Sequence, residues 1–211
     1  MKKNIDFINR VIVWISNELD AKNIDFYIVG AIGAYIDASL PIQRNHDDLD
    51  ILIQEKDVSK LKEVFKDTDF DFFDNRFISD KWLNEYGYPD GNHEVYAKYR
   101  YDEFHIGFFL YKVEKESYTI IEYFRQDGAQ KRLDRTLPLE MFKYHYNNMP
   151  GSYLNKKIKV VRKELIYKNK LVMNRDKDLY DIKRIEPYLD KTILNELKKA
   201  KNKRITKIIN I

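Results

Sequence analysis

The stretch from Phe26 to Gln54, FYIVGAIGAYIDASLPIQRNHDDLDILIQ, constrains this chain more than any other. Its apolar run, Phe26 to Val29, reads as a strand. Gly30 and Gly33 fall where strand gives way to helix, and the helix predicted from Ala31 to Ser39 stops before Pro41. The second strand, Leu49 to Gln54, is preceded by Asp48 and carries Asp50. Strand side chains alternate faces, so these two carboxylates point the same way with Cα atoms about 6.5 Å apart, while Leu49, Ile51 and Ile53 take the other face. Like charges at that spacing repel, and one tends to protonate unless a cation lies between them. A magnesium site is the natural reading of the pair. The glycine-flanked turn is its complement, because the backbone can turn tightly there and the new helix offers unpaired N–H groups to a phosphate. The blander alternatives are glycines that only make a turn and acids that only decorate a solvated edge.

With 211 residues, 44% of them hydrophobic, the chain is long enough for one large domain or two small ones with a real core. No run reaches the roughly 18 apolar residues of a membrane span, and no apolar segment follows Met1-Lys2-Lys3, so a cytoplasmic protein is expected. The absence of cysteine excludes disulfides, thiolate nucleophiles and cysteine-based zinc sites. The four histidines, at 46, 93, 105 and 145, form no H-E-x-x-H motif, and neither G-x-S-x-G nor a Walker loop occurs. Charge is unevenly divided. Residues 1–111 hold 13 Lys+Arg against 21 Asp+Glu, a net of −8, whereas residues 112–211 hold 25 against 13, a net of +12. An acidic half around a metal site and a basic half that meets phosphates is one account; a lysine-rich solvated tail is the other.

Helical spacing of Ile5, Ile8, Val11, Ile12, Ile15 and Leu19 predicts an amphipathic helix from Ile5 to Ala21 with Asn4 as its cap. A surface helix is expected over Lys56 to Lys66, a strand over Asp69 to Phe73 and a loop over Asn75 to His93. Three β-rich runs follow, Glu94 to Tyr101, Glu103 to Val113 and Ser117 to Phe124, so the fold class expected is α+β with a mixed or antiparallel sheet flanked by helices. Gly128 and the run Lys131 to Arg135 mark a boundary between a core, residues 1–125, and a basic, mainly helical part, residues 126–211. Asn147 to Ser152 reads as a turn, Lys157 to Val161 as a strand, and Lys163 to Met173 and Lys191 to Ile209 as helices. In the run from Glu103, the residues Glu103, His105 and Gly107 share a face. If that strand lies beside Leu49 to Gln54, Glu103 reaches the carboxylate pair and closes a three-acid site; the alternative is a solvated Glu103 paired with a lysine.

Gly30-Ala31-Ile32-Gly33, followed by Arg44-Asn45-His46-Asp47-Asp48-Leu49-Asp50, resembles the signature of the nucleotidyltransferase superfamily shared with DNA polymerase β. The pattern is most similar to that of the antibiotic nucleotidyltransferases acting on lincosamides or on the aminoglycoside 2''-hydroxyl. Ala31 stands where that family has its second glycine, which adds a methyl group where the phosphates are expected, and Glu103 stands where it has its third aspartate. Asn174 to Ile182, NRDKDLYDI, resembles the family's closing motif. The resemblance implies catalysis and metal binding by Asp48, Asp50 and Glu103, with two magnesium ions, and nucleotide contacts at Gly30, Ala31, Gly33, Arg44, His46, Lys170 and Lys177. Asp178 is placed to cap the helix after the motif. The expected partners are an NTP, ATP first, and a hydroxyl-bearing small molecule; the other readings are a toxin-like enzyme acting on RNA or protein, and an inactive nucleotide-binding module.

Overall fold

The computed structural model describes residues 5–76, 95–126 and 129–210. Helix α1, Ile5–Ala21, buries the stripe its sequence spacing marks: Ile8, Val11, Ile12, Ile15 and Leu19. Strand β1, Phe26–Ile28, leads through the left-handed Gly30 (φ 64°) into α2, Gly30–Asp37, and β2 follows as Asp48–Gln54. A 3-10 turn, Glu55–Asp57, and α3, Val58–Val64, occupy the predicted surface helix. Then come β3, Phe70–Asp74; β4, Val95–Tyr99; β5, His105–Val113; β6, Ser117–Gln126; and β7, Ala129–Pro138. The remainder comprises α4, Phe142–His145; β8, Tyr146–Tyr153; β9, Lys156–Val161; α5, Lys163–Met173; α6, Asp176–Ile185; α7, Lys191–Lys203; and β10, Ile205–Asn210. Most of the loop expected up to His93, like Asn4 and Gly128, lies outside the described residues. No helix among the described residues is long and apolar enough to cross a membrane.

All ten strands join one mixed sheet, in the order β10-β7-β6-β5-β2-β1-β9-β8, with β3 and β4 on a side branch. Among the described residues only the β2–β5 and β1–β9 pairs are parallel. One edge of β5 runs beside the whole of β2, while its other edge is divided, β4 pairing with His105–Gly107 and β6 with Leu110–Val113. The sheet therefore forks at β5, and the branch carrying β3 and β4 packs its rings onto the helices. Trp14 of α1 stacks on Phe70 at 5.5 Å between centroids, and Phe7 meets Phe104 at 5.4 Å.

The α+β fold with a mixed sheet is as the sequence predicts, but the part after residue 125 departs from expectation. Lys131 to Arg135 lies inside β7, paired residue for residue with β6. Arg135 pairs across the strands with Glu122, while Arg132 pairs with Asp134 of its own strand and with Glu55 of the 3-10 turn, so a charge-rich run serves as a strand. The turn expected at Asn147 to Ser152 belongs to β8, whose register shifts between Asn147 and Gly151. The last helix ends at Lys203, where the β-branched residues Ile205, Thr206, Ile208 and Ile209 form an edge strand instead. Besides its helices, the C-terminal part thus contributes four strands, one of which, β9, sits directly beside β1.

Gly33 is explained by packing. A Cβ there would fall 2.3 Å from the carbonyl oxygen of Ile28 and 2.9 Å from Val161 Cγ1, so the missing side chain lets α2 lie directly on β1 and β9. An alanine inside a helix ordinarily gains about 1 kcal/mol over glycine. Against an immovable backbone carbonyl the overpacking cost of about 1–3 kcal/mol dominates. Gly33→Ala is expected to lower the urea midpoint despite its better propensity; a raised midpoint would contradict this packing.

Candidate active site

Asp48 and Asp50 lie on one face of β2, half-buried, with Leu49 and Ile51 buried behind them. Gly30 backs directly onto the second carboxylate. A Cβ at Gly30 would stand 2.6 Å from Asp50 Oδ2, and the turn is closed by Val29 N–H donating to the Asp50 carbonyl at 2.9 Å. A left-handed glycine is required on both counts, because any side chain would strain the backbone and displace the carboxylate. Ala31, whose methyl group the family resemblance puts beside the phosphates, is half-buried and packs against the core.

The register across the fork arranges two adjacent rows on this face. Asp71, Lys98, His105 and Asp48 stand opposite one another on β3, β4, β5 and β2, and Phe73, Tyr96, Gly107 and Asp50 form the next row. His105 is therefore the strand neighbour of Asp48, with strands about 4.8 Å apart. Gly107 adds no side chain beside Asp50. A cavity of about 470 Å³, lined by Asp71, Lys98, Arg100, Tyr101, Asp102 and Glu103 among others, opens along the branch and does not include the carboxylate pair in its lining.

Glu103 does not open the strand as expected. It lies in the turn before β5, its backbone N–H donating to Asp102 Oδ1 at 2.7 Å, and its side chain, 82% exposed, pairs with Lys98 at 3.6 Å. The strand starts two residues later because Phe104, fully buried against Phe7, anchors the chain ahead of His105. Among the described residues no three His, Asp or Glu side chains converge closely enough to hold a metal. The pair alone still suits magnesium: the donors are hard carboxylate oxygens, and Mg²⁺ is commonly held by one or two carboxylates, waters and substrate phosphates.

The expected basic contacts are mostly engaged elsewhere. Arg44 grips Asp181 with Nε and Nη2, each at 3.0 Å, and Lys170, 7% exposed, bridges Asp178 at 2.8 Å and Asp181 at 2.7 Å. The Tyr35 hydroxyl also donates to Asp181. Burial opposes ionisation of Asp181, yet the hydrogen bonds from Arg44, Lys170 and Tyr35 outweigh it and hold the carboxyl below its ordinary range. Asp178, held low first by the hydrogen bond from Arg175, caps the start of α6 by accepting from the Arg175 backbone N–H at 3.2 Å, as its position in the sequence suggests. These contacts brace α5 and α6 against α2 and the segment entering β2. Lys177 is exposed on the first turn of α6.

His46 is buried against the ring of Tyr35, 6.2 Å between centroids. Burial, aided by the charge of Arg44, pushes its imidazole down from the ordinary 6.5 to about 4, so it is neutral near pH 7. Sequence reasoning passed over one further cation, Arg175. Its guanidinium is raised by hydrogen bonding to Asp178 and, further, by the charge of Asp48.

No protein-family model matches this sequence, and no curated protein matches it. The fold is that of the antibiotic nucleotidyltransferases. It is similar to the crystal structure of ANT(2")-Ia in complex with adenylyl-2"-tobramycin, with a TM-score of 0.61 and 11% identity over 92% of this chain and 96% of that one. A solution structure of the antibiotic-resistance factor ANT(2'')-Ia gives a TM-score of 0.59 and 11% identity over 94% and 93%. The lincomycin-bound lincosamide antibiotic adenylyltransferase LnuA gives 0.53 and 12% over 83% and 94%. At these identities the likeness is one of fold.

The buried histidine sets an acid limit. The pKa of His46 is lower in the folded chain than in the unfolded one, so the unfolded state takes up a proton first as the pH falls. Its contribution is intact above about pH 6.5 and is lost towards pH 4. The depressed Asp181 and Asp178 extend the loss below the ordinary carboxylate range. Unfolding free energy from urea titrations should therefore drop between pH 6.5 and 4, and His46→Gln should flatten that drop. A pH-independent free energy over this window would contradict the assignment.

Proposed function

We propose that this protein is a nucleotidyltransferase that moves a nucleoside monophosphate, AMP by preference, from a magnesium-bound triphosphate to a hydroxyl of a small molecule. The observation that carries this reading is the pair Asp48 and Asp50 on one face of β2, with Gly30 pressed against Asp50, in a fold shared with antibiotic adenylyltransferases. An aminoglycoside or lincosamide is the acceptor class suggested by the ligands of the similar enzymes.

Asp48 and Asp50 would hold magnesium, which when bound neutralises charge at the α-phosphate and favours in-line displacement. The start of α2 directs its first N–H groups to the phosphates past Gly30, and no side chain intervenes there. The acceptor enters from the cavity along β3 and β4 and presents its hydroxyl beside His105. A ring nitrogen of His105 takes the hydroxyl proton as the new P–O bond forms and the bond to pyrophosphate breaks. His105 takes this role because the register places it beside Asp48; Glu103, named by sequence spacing, stands two residues upstream in the turn.

Three variants test the assignment by steady-state transfer from α-labelled ATP to a panel of aminoglycosides and lincosamides. Asp50→Asn should lower turnover by at least about 100-fold, since loss of a metal clamp costs several kcal/mol at the transition state. His105→Ala should cost roughly 100-fold, the usual scale for a general base, with nucleotide affinity nearly unchanged. Glu103→Gln should transfer within a few-fold of wild type, because an exposed ion pair to Lys98 contributes about 1 kcal/mol at most. Loss on Glu103→Gln with none on His105→Ala would return the third position to Glu103. Full activity in Asp50→Asn would refute the proposed function itself.

A further inference from the structure

The groups that flank Asp48 and Asp50 on the open face of β2 decide how many ions the pair can serve. On the β5 side the register sets His105 against Asp48 and Gly107 against Asp50. One strand further, β4 offers Lys98 and Tyr96 in the same two rows, and β3 beyond it offers Asp71 and Phe73. The Asp71 carboxylate accepts from Arg100 at 2.8 Å. On the opposite side the turn into α2 brings Gly30 so close that a Cβ there would stand 2.6 Å from Asp50 Oδ2. Glu103 lies outside both rows, exposed and paired with Lys98 at 3.6 Å. Among the described residues, then, the pair is bordered by one imidazole and two glycines and is joined by no third carboxylate.

Resting on the nucleotidyltransferase reading of the pair, we infer that the site works with a single magnesium ion, the one that arrives with the nucleotide, in place of the two that the family resemblance implies. His105 occupies the position on β5 from which a carboxylate would anchor a second ion. Mg²⁺ demands near-octahedral oxygen coordination, and one or two carboxylates with substrate phosphates and water complete one such shell. Two ions that clamp the attacking and leaving oxygens lie about 3.5–4 Å apart, so both would have to share Asp48 and Asp50. The β5 rows add only an imidazole, a donor suited to zinc, copper, iron or nickel rather than magnesium, because Gly107 has no side chain to offer beside Asp50. The task a second ion performs in two-ion sites, loosening the proton of the attacking hydroxyl, is left to a proton acceptor, and His105 is the strand neighbour able to serve.

The count is read from the full chain with Mn²⁺ in place of Mg²⁺ and with α,β-methylene-ATP, whose α–β linkage cannot be cleaved, by following the electron paramagnetic resonance signal of free Mn²⁺ during titration. Wild type is expected to bind one Mn²⁺ per bound nucleotide. Asp50→Asn should bind that complex about tenfold more weakly or worse, which marks the ion as shared with the protein rather than carried by the nucleotide alone. His105→Asp, which sets a carboxylate beside Asp48 on the same face, should bind a second Mn²⁺ per nucleotide, with its fold checked by thermal melting. Glu103→Gln should keep the wild-type count. Transfer by wild type should follow the concentration of MgATP and gain nothing from further free Mg²⁺. Two Mn²⁺ per nucleotide in wild type would overturn the inference while nucleotidyl transfer stands, and a fall to one in Glu103→Gln would then name Glu103 as the third ligand. A folded His105→Asp protein that still binds one would overturn the place assigned to β5. Wild-type protein that binds no Mn²⁺–nucleotide complex, or Asp50→Asn that binds it with wild-type affinity, would instead overturn the nucleotidyltransferase reading, and this inference with it.

Discussion

The contact between Gly30 and Asp50 is the constraint on which the site depends. A strand that ends at Ile28 and a helix that starts at Gly30 leave one residue, Val29, between them, and the left-handed backbone at Gly30 makes the reversal. It also brings the start of α2 within van der Waals contact of the carboxylate, a distance no other residue type permits. Gly33, one turn later, sets α2 against β1 and β9. With α2 fixed on one side and β5 paired in parallel on the other, the two acids have one direction in which to point. The same pairing determines that His105 is their neighbour.

A second level of order comes from buried charge. Asp181 gathers Tyr35, Arg44 and Lys170, and Asp178 gathers Lys170 and Arg175, so α2, the approach to β2, α5 and α6 share one network. Removing one partner from such a network strands an uncompensated charge and costs about 3–5 kcal/mol. An exposed pair such as Lys98 with Glu103 is worth about 1 kcal/mol or less. The difference decides which cations are braces and which remain available to a ligand. Arg44 and Lys170 serve the fold, whereas the Arg175 side chain stays half-exposed, held along one edge by Asp178.

Much of this was legible in the sequence because local periodicity carries it. The stripe of α1, the strand-turn-helix at Gly30, the alternation that puts Asp48 and Asp50 on one face, and helix α5 follow from spacing of 3.6 or 2 residues. What was not legible depends on partners distant along the chain. The span of β5 alone cannot show that Phe104 is drawn into the core beside Phe7 and delays the strand to His105, which leaves Glu103 in the turn. Nor can charge density show that Lys131 to Arg135 lies in a hairpin strand, with Arg132 paired to Asp134 beside it and Arg135 to Glu122 across it, rather than in a solvated linker. Arg44 and Lys170 look like free cations until Asp181 arrives from 137 residues beyond Arg44.

The central claim is that the face of β2 carrying Asp48 and Asp50 transfers a nucleotidyl group. Its most direct test is to incubate purified protein with Mg²⁺, ATP labelled at the α-phosphate and a hydroxyl-bearing acceptor, and to follow both products together. The account predicts label in the acceptor with one pyrophosphate released for each label transferred, and neither product when Asp48→Asn protein is used. Label appearing only as free ADP with inorganic phosphate, or transfer that survives in Asp48→Asn, would contradict it.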